Sequence, residues 1–271
     1  MARAPVHSRL EWVAPVKPRR PGALPGMGRQ WHARVVGIRR VAVLLLVLLV
    51  LLVAACQGST TGSGGSHFPQ PDRPVARIVS PSYSSEAERD AAGEAERVMD
   101  RLGIAPGGRV ADIGAGDGYY TVRLARRLGP GATLYATDVE ATYLDGLRAR
   151  LAREGVTGVT VLQGRPRDPK LPSGSIDVAI LSHMYHEIEN PYEFLYRLQP
   201  ALRPGGRVGI IDVDKPTQDH GTPPALLRCE LAAVGFRQLE VVPLTPAAGY
   251  LAVFAPPSSL PAIESIKACK S

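Results

Sequence analysis

Residues 110–120 read VADIGAGDGYY: a short apolar strand ending at Asp112-Ile113, glycines at 114, 116 and 118, then residues that open a helix. A loop that leaves a strand, turns with positive φ and lets a ligand approach bare backbone needs glycine. Two acids frame it. Asp112 stands two residues before Gly114, and Asp138 closes the next apolar strand, 20 residues after Gly118. An acid at the end of the second strand is placed to take both hydroxyls of a ribose.

The pattern around this loop alternates between strand and helix. Residues 85–102 (SEAERDAAGEAERVMDRL) predict one amphipathic helix with a serine cap and acids in its first turn. Strands are predicted over 109–113, 132–137, 159–162, 175–182, 207–213, 237–242 and 250–255. Helices are predicted over 118–128, 141–154, 191–202 and 224–234. Residues 175–182 (SIDVAILS) are apolar on both faces, as a buried parallel strand requires. Gly129-Pro130, Gly155, the run Arg203-Pro204-Gly205-Gly206, and Gly235 supply the stops. Strands alternating with helices argue βαβ units, with ligands bound beyond the carboxyl ends of the strands. The expected domain covers residues 75–256, with a C-terminal tail over 257–271.

The motifs, taken in order, resemble class I S-adenosylmethionine-dependent methyltransferases. DIGAGDG (112–118) looks like their motif I, and LYATDVE (134–140) like motif II. LPSGSIDVAILSHMYHEI (171–188) is similar to their fourth strand and its approaches, LRPGGRVGIID (202–212) to the following turn and strand, and AAVGF (232–236) to the turn before the last hairpin. The segment DPKLPSGSIDVAILSHMYHEIENP most resembles small bacterial members of unassigned substrate. The resemblance implies an α/β fold, a three-layer Rossmann-like sandwich. Its seven-stranded, mostly parallel sheet would have the order 3-2-1-4-5-7-6 and an antiparallel last strand. The implied cofactor is S-adenosylmethionine. Asp112 and the loop of Gly114, Ala115, Gly116 and Gly118 would hold its methionine end, Asp138 its ribose, and Val139 its adenine, with Gly164 and Ser182 at the same site. One position departs. Relatives carry Asp after the glycine that ends the third strand, where this chain has Gly164-Arg165, with Asp168 three residues on.

The acceptor end would lie after the fourth strand, where Ser182, His183, Tyr185, His186 and Glu187 cluster. Methyl transfer is an in-line displacement, so alignment supplies much of the rate, and a base is needed only when the acceptor carries a proton to remove. His186 is the candidate base, with Tyr185 lining the pocket, and His220 is in reach from the loop after the fifth strand. His183-x-x-His186-Glu187 has neither spacing of the helical zinc-protease motifs, and no metal is expected. A nicotinamide dehydrogenase is excluded by the spacing of the glycines. It also lacks a Tyr-x-x-x-Lys pair, since Leu147 and Tyr196 stand four residues after Tyr143 and Tyr192.

The net charge of +7 over 271 residues belongs to the first part of the chain. Residues 1–40 carry +8, and the remainder carries −1, so the domain offers no basic stripe for nucleic acid. Residues 41–55 (VAVLLLVLLVLLVAA) are fifteen apolar positions after Arg34, Arg39 and Arg40, signal-peptide length rather than the roughly 20 of a membrane span. Val53-Ala54-Ala55-Cys56 resembles a bacterial lipobox, in which the cysteine is acylated. Residues 1–55 are therefore expected as leader and signal peptide. Of these, residues 1–26, before Met27, read as a start-site artefact or an unstructured extension. Residues 56–74 are expected as a flexible tether. Membrane attachment is expected through a lipidated Cys56 or, alternatively, an uncleaved inner-membrane anchor. Cys229 is expected as a small buried thiol in a helix and Cys269 in a loose tail, although an oxidising compartment leaves a disulfide between them open. The expected function is methyl transfer to a small or membrane-associated acceptor; the alternative is a lipoprotein that binds the nucleoside without turnover.

Overall fold

The computed structural model describes residues 67–78 and 85–270. The expected leader, the lipobox and the first part of the tether lie outside the described residues. Among the described residues, no helix is long and apolar enough to cross a membrane.

Seven strands form one sheet: β1 (Arg109–Ile113), β2 (Thr133–Asp138), β3 (Val159–Gln163), β4 (Ile176–Ser182), β5 (Leu202–Asp212), β6 (Arg237–Pro243) and β7 (Tyr250–Ala255). Their order is β3-β2-β1-β4-β5-β7-β6. The pairs among β1 to β5 are parallel, and β7 runs antiparallel to both β5 and β6. This is the order and the antiparallel last strand that the motifs implied. The helices are α1 (Glu86–Ala91), α2 (Glu94–Arg101), α3 (Tyr119–Leu128), α4 (Ala141–Arg153), α5 (Pro191–Leu198) and α6 (Pro224–Ala233).

The two-residue period of each strand divides its side chains between two apolar layers. Ala111, Ile113, Ala179, Leu181, Val208, Ile210, Ala252 and Phe254 pack with Leu195 and Leu198 of α5 and Leu227 and Leu231 of α6. Val110, Val178, Ile180, Ile211, Leu251 and Val253 pack with Val98 and Met99 of α2 and Leu124 and Leu128 of α3. Strands covered on both sides must be apolar at consecutive positions, which is why SIDVAILS reads as it does. Strand order reverses direction between β1 and β4, so the crevice for a ligand opens at their carboxyl ends.

Four expectations change. The single helix predicted over 85–102 is two, because Gly93 adopts φ +62° and breaks the run; Ser85 does cap α1, in a capping box with Glu88. The helix predicted over 191–202 stops at Leu198 and gives way to a tight turn at Gln199–Ala201, where Pro200 lacks the N–H to continue it. Cys229 and Cys269 are disulfide-bonded, not free thiols, and the tail is not loose: Cys269 and Ile266 are buried, and the Cys269 N–H donates to the Tyr192 hydroxyl at 2.7 Å. Residues 67–74, expected as the end of the tether, are anchored too: Phe68 packs edge-on against Tyr196 and Arg73 is buried.

That last segment carries the buried cation of the structure's interior. The Arg73 Nε donates to Glu230 of α6 at 2.8 Å with both side chains fully buried. Its other nitrogens donate to the carbonyls of His186 (3.4 Å) and Ile188 (3.3 Å), and the Tyr185 hydroxyl donates to the second Glu230 oxygen at 2.9 Å. The segment thus fastens the turn that follows β4. Removing one partner of a buried ion pair strands the other charge in low dielectric, which costs about 3–5 kcal/mol. Arg73→Met is expected to lower stability by that amount in urea unfolding of the oxidised protein. Adding Glu230→Gln should restore at least half of it. Equal stability of Arg73→Met and the native chain would show that the pair is not what holds the segment.

Candidate active site

The carboxyl ends of β1, β2 and β4, with the loops after β3 and β5, line a cavity of about 800 Å³. That is within the several-hundred-Å³ range of small-molecule sites. Asp112, Gly114, Ala115, Gly116, Asp138, Val139, Gly164, Ser182 and His186 all line it, as do His183, Glu187 and His220. Two predicted residues do not. Gly118 lies behind the wall, with φ +86° at the start of α3, where an added Cβ would overlap Leu147. Tyr185 is fully buried and turned to Glu230, so it is a strut of the turn after β4 and not pocket lining. The motif had placed it correctly in the chain, but a tight three-residue turn sends neighbouring side chains in different directions.

The glycine loop is shaped by close approach. Gly114 has φ +70°, and a Cβ there would come 2.7 Å from Met184 Cγ. The Gly116 N–H donates to Asp138 at 2.9 Å, and the Glu140 N–H donates to the other oxygen of the same carboxylate at 3.0 Å. A carboxylate has about four acceptor positions, so Asp138 keeps capacity for ligand hydroxyls. Asp112 is buried and accepts from the Thr121 hydroxyl at 2.5 Å. Burial, with the nearby Asp138 charge, pushes its carboxyl up to about 6 against the lowering effect of that hydrogen bond.

Asp168 does not take the place of the missing acid beside Gly164. Its carboxylate accepts from the Lys170 N–H and pairs with the Lys170 ammonium at 2.8 Å, while Arg165 and Pro166 line the cavity instead.

At the other end, His186 is buried and its Nδ1 lies 3.1 and 3.0 Å from the two oxygens of Asp212, at the end of β5. Asp212 also accepts from the Val213 N–H (2.9 Å) and the Thr222 hydroxyl (2.7 Å). A carboxylate that receives donors at every contact acts as an acceptor, so Nδ1 carries a proton, and in the neutral imidazole Nε2 is the lone-pair nitrogen. Burial pushes the His183 imidazole down to about 4. His220, seen from the sequence only as a loop residue in reach, meets the His186 ring edge to face with centroids 5.5 Å apart.

Sequence reasoning missed the partners. Asp212 was visible as the end of a strand, but nothing local tied it to His186. Arg89 also lines the site, held by the buried Glu94: the guanidinium makes a two-pronged contact with Glu94 (2.6 Å at the shortest), donates to Ser182 at 3.4 Å, and stacks 3.6 Å from the Tyr119 ring centre. Five residues apart, these two would face different sides of one continuous helix, and only the break at Gly93 joins them.

Residues 111–210, from β1 to β5, match the family model described as a methyltransferase domain. This chain carries a class I, Rossmann-like methyltransferase domain. The methyltransferase domain is 32% identical over 116 residues to nocamycin O-methyltransferase of Saccharothrix syringae, covering 43% of this chain and 41% of that one. It is 28% identical over 120 residues to a ubiquinone/menaquinone biosynthesis C-methyltransferase of Hahella chejuensis, covering 44% and 48%. The chain thus spans less than half the length of these two relatives. A SAM-dependent methyltransferase from Aquifex aeolicus shares the fold, with a TM-score of 0.55 at 21% identity, over 63% of this chain and 97% of that one. The cofactor of the domain is S-adenosylmethionine, and the residues present fit it: a glycine wall without side chains, an acid with spare acceptor capacity at the end of β2, and a buried acid at the end of β1.

Proposed function

We propose that this chain transfers the methyl group of S-adenosylmethionine to a small, largely apolar acceptor bearing a hydroxyl group. The observation that carries the reading is the His186–Asp212 pair, in which a carboxylate-oriented imidazole lines the same cavity as the glycine loop. A domain that only bound the nucleoside would have no use for an oriented base there. When bound, the cofactor supplies an electrophilic methyl group on a sulfonium. Asp112 and the main chain at Gly114, Ala115 and Gly116 hold the methionine end, Asp138 accepts from the ribose hydroxyls, and Val139 and Gly164 flank the adenine. His186 Nε2 takes the proton of the acceptor hydroxyl, and Asp212 stabilises the resulting imidazolium. Ile78, Met184, Ile188 and Phe194 supply apolar wall for the acceptor and keep water out. Nocamycin O-methyltransferase supports an oxygen acceptor, while the ubiquinone/menaquinone biosynthesis C-methyltransferase supports only the class of small acceptor.

The chain is further proposed to work at a bacterial cell envelope, held by a lipid on Cys56. The signal-length apolar run, the lipobox-like VAAC and the glycine-serine stretch after it support this. So does the Cys229–Cys269 disulfide, since such bonds persist in oxidising compartments. Such an anchor would put the cavity next to membrane-dissolved acceptors.

Losing a general base costs about 10²–10⁴ in rate. With a panel of hydroxylated quinone-type and aromatic acceptors, His186→Asn and Asp212→Asn are each expected to lower methyl transfer at least about a hundredfold. Cofactor affinity should stay near that of the native chain. Transfer at the native rate in both would leave His186 as wall. For the anchor, fatty-acid labelling in cells should disappear in Cys56→Ser; equal labelling of both forms contradicts it.

A further inference from the structure

Two loops at the carboxyl edge of the sheet bring three potential ligands together. His186 and Glu187 belong to the turn Tyr185–Glu187 after β4, and His220 closes the turn Thr217–Asp219 after β5. One donor atom from each lies within 4.8 Å of the other two. Glu187 Oε1 stands 4.0 Å from His186 Nε2, and the two imidazoles meet edge to face. His186 is buried, while Glu187 and His220 are half-buried.

Three independent observations point to a ligand at this cluster. Asp212 holds the Nδ1 proton of His186, which leaves Nε2 as the ring's ligand atom, the arrangement in which a carboxylate orients a metal-binding histidine. The Nδ1 of His220 is buried and has no hydrogen-bond partner among the described residues, whereas buried polar atoms are nearly always satisfied. All three residues face the cavity, so a bound cation would keep a position open toward it.

We propose that His186, Glu187 and His220 form a site for a divalent transition-metal ion of the zinc class. Two imidazoles and one carboxylate suit zinc, cobalt or nickel better than magnesium or calcium, which prefer all-oxygen sets. Three protein ligands with an open fourth position make a site that can take a substrate oxygen, not a closed structural one. Ligands at about 2.1 Å around a tetrahedral ion stand roughly 3.4 Å apart, so the triad closes on a cation with side-chain shifts on the order of 1 Å. Sequence spacing argued against a metal, because His183-x-x-His186-Glu187 matches neither protease motif and the third ligand, His220, comes from another strand's loop. The inference goes beyond methyl transfer and stands on this geometry alone. When the cation is bound, His186 is its ligand and not a base; an acceptor hydroxyl on the open position, its pKa lowered by the cation, loses its proton to solvent.

The test uses the full chain with Cys56→Ser, which removes the single thiol outside the disulfide, after chelator treatment. Zn²⁺ is titrated in competition with a chromophoric chelator, and Co²⁺ by its visible absorption. The site predicts one Zn²⁺ per chain and a Co²⁺ spectrum of four- or five-coordinate type. His220→Ala and Glu187→Gln should each weaken Zn²⁺ binding by more than the ~10–100-fold expected for Asp212→Asn, which acts only through His186. His67→Ala, an exposed histidine elsewhere, should bind as the parent does, and thermal unfolding of His220→Ala should match the parent. Absence of stoichiometric Zn²⁺, or equal affinity in His220→Ala and the parent, overturns the site. S-adenosylmethionine titration of the same samples separates the two readings: cofactor binding without zinc sinks only the cation.

Discussion

A single carboxylate at the end of β2 holds the two halves of the cofactor site together. Asp138 receives the Gly116 N–H with one oxygen and the Glu140 N–H with the other. The first bond ties the glycine loop after β1 to its neighbouring strand, and the second fixes the entry to α4. The loop can come that close only because Gly114 and Gly116 have no side chains and adopt positive φ. The same proximity is felt by Asp112, whose ionisation is opposed first by burial and then by the Asp138 charge. Two acids so close together favour a cationic guest between them, and the cofactor's sulfonium and ammonium groups are of that sign.

The acceptor end is built by a different device. His186 sits in a turn whose carbonyls are gripped by Arg73, whose hydroxyl neighbour Tyr185 is gripped by Glu230, and whose ring is gripped by Asp212. Strand β5 supplies the Asp, helix α6 the Glu, and residues before the first helix the Arg. An imidazole fixed from three directions loses little entropy when it meets an acceptor, which is what alignment-dependent chemistry requires. The N-terminal segment and the disulfide-tied tail meet directly, since Asp72 and Lys270 form a β-bridge, and both are fastened to α6, through Glu230 and Cys229.

The sequence revealed what depends on local pattern. The glycine loop, Asp138 and the strand periods are each written within a few residues, so the sheet, its order by resemblance and most of the cofactor wall were legible. Long-range pairings were not. Nothing in the chain near His186 points to Asp212, nothing near Cys229 to a partner 40 residues away, and Arg73 sits in a stretch whose prolines and glycine-serine neighbours read as tether. Residues 85–102 were read as one helix, although the positive φ of Gly93 within them is what brings Arg89 onto Glu94 and Ser182. Tyr185 shows the reverse failure: motif position located the residue, but only the turn's geometry decides that it faces Glu230 and not the cavity. Asp168 likewise offered itself by spacing and is occupied by Lys170.

The central claim is that the cavity between Asp112 and His186 is a site for S-adenosylmethionine, and calorimetric titration of the full-length chain with that cofactor across pH tests it most directly. One cofactor per chain is predicted. Because the Asp112 carboxyl is pushed up to about 6 in the free protein and a cation favours its ionised form, affinity should rise as pH increases through about 6 and level off above it. No heat of binding at any pH, with the protein folded, would contradict the account; so would binding that strengthens as the pH falls below 6.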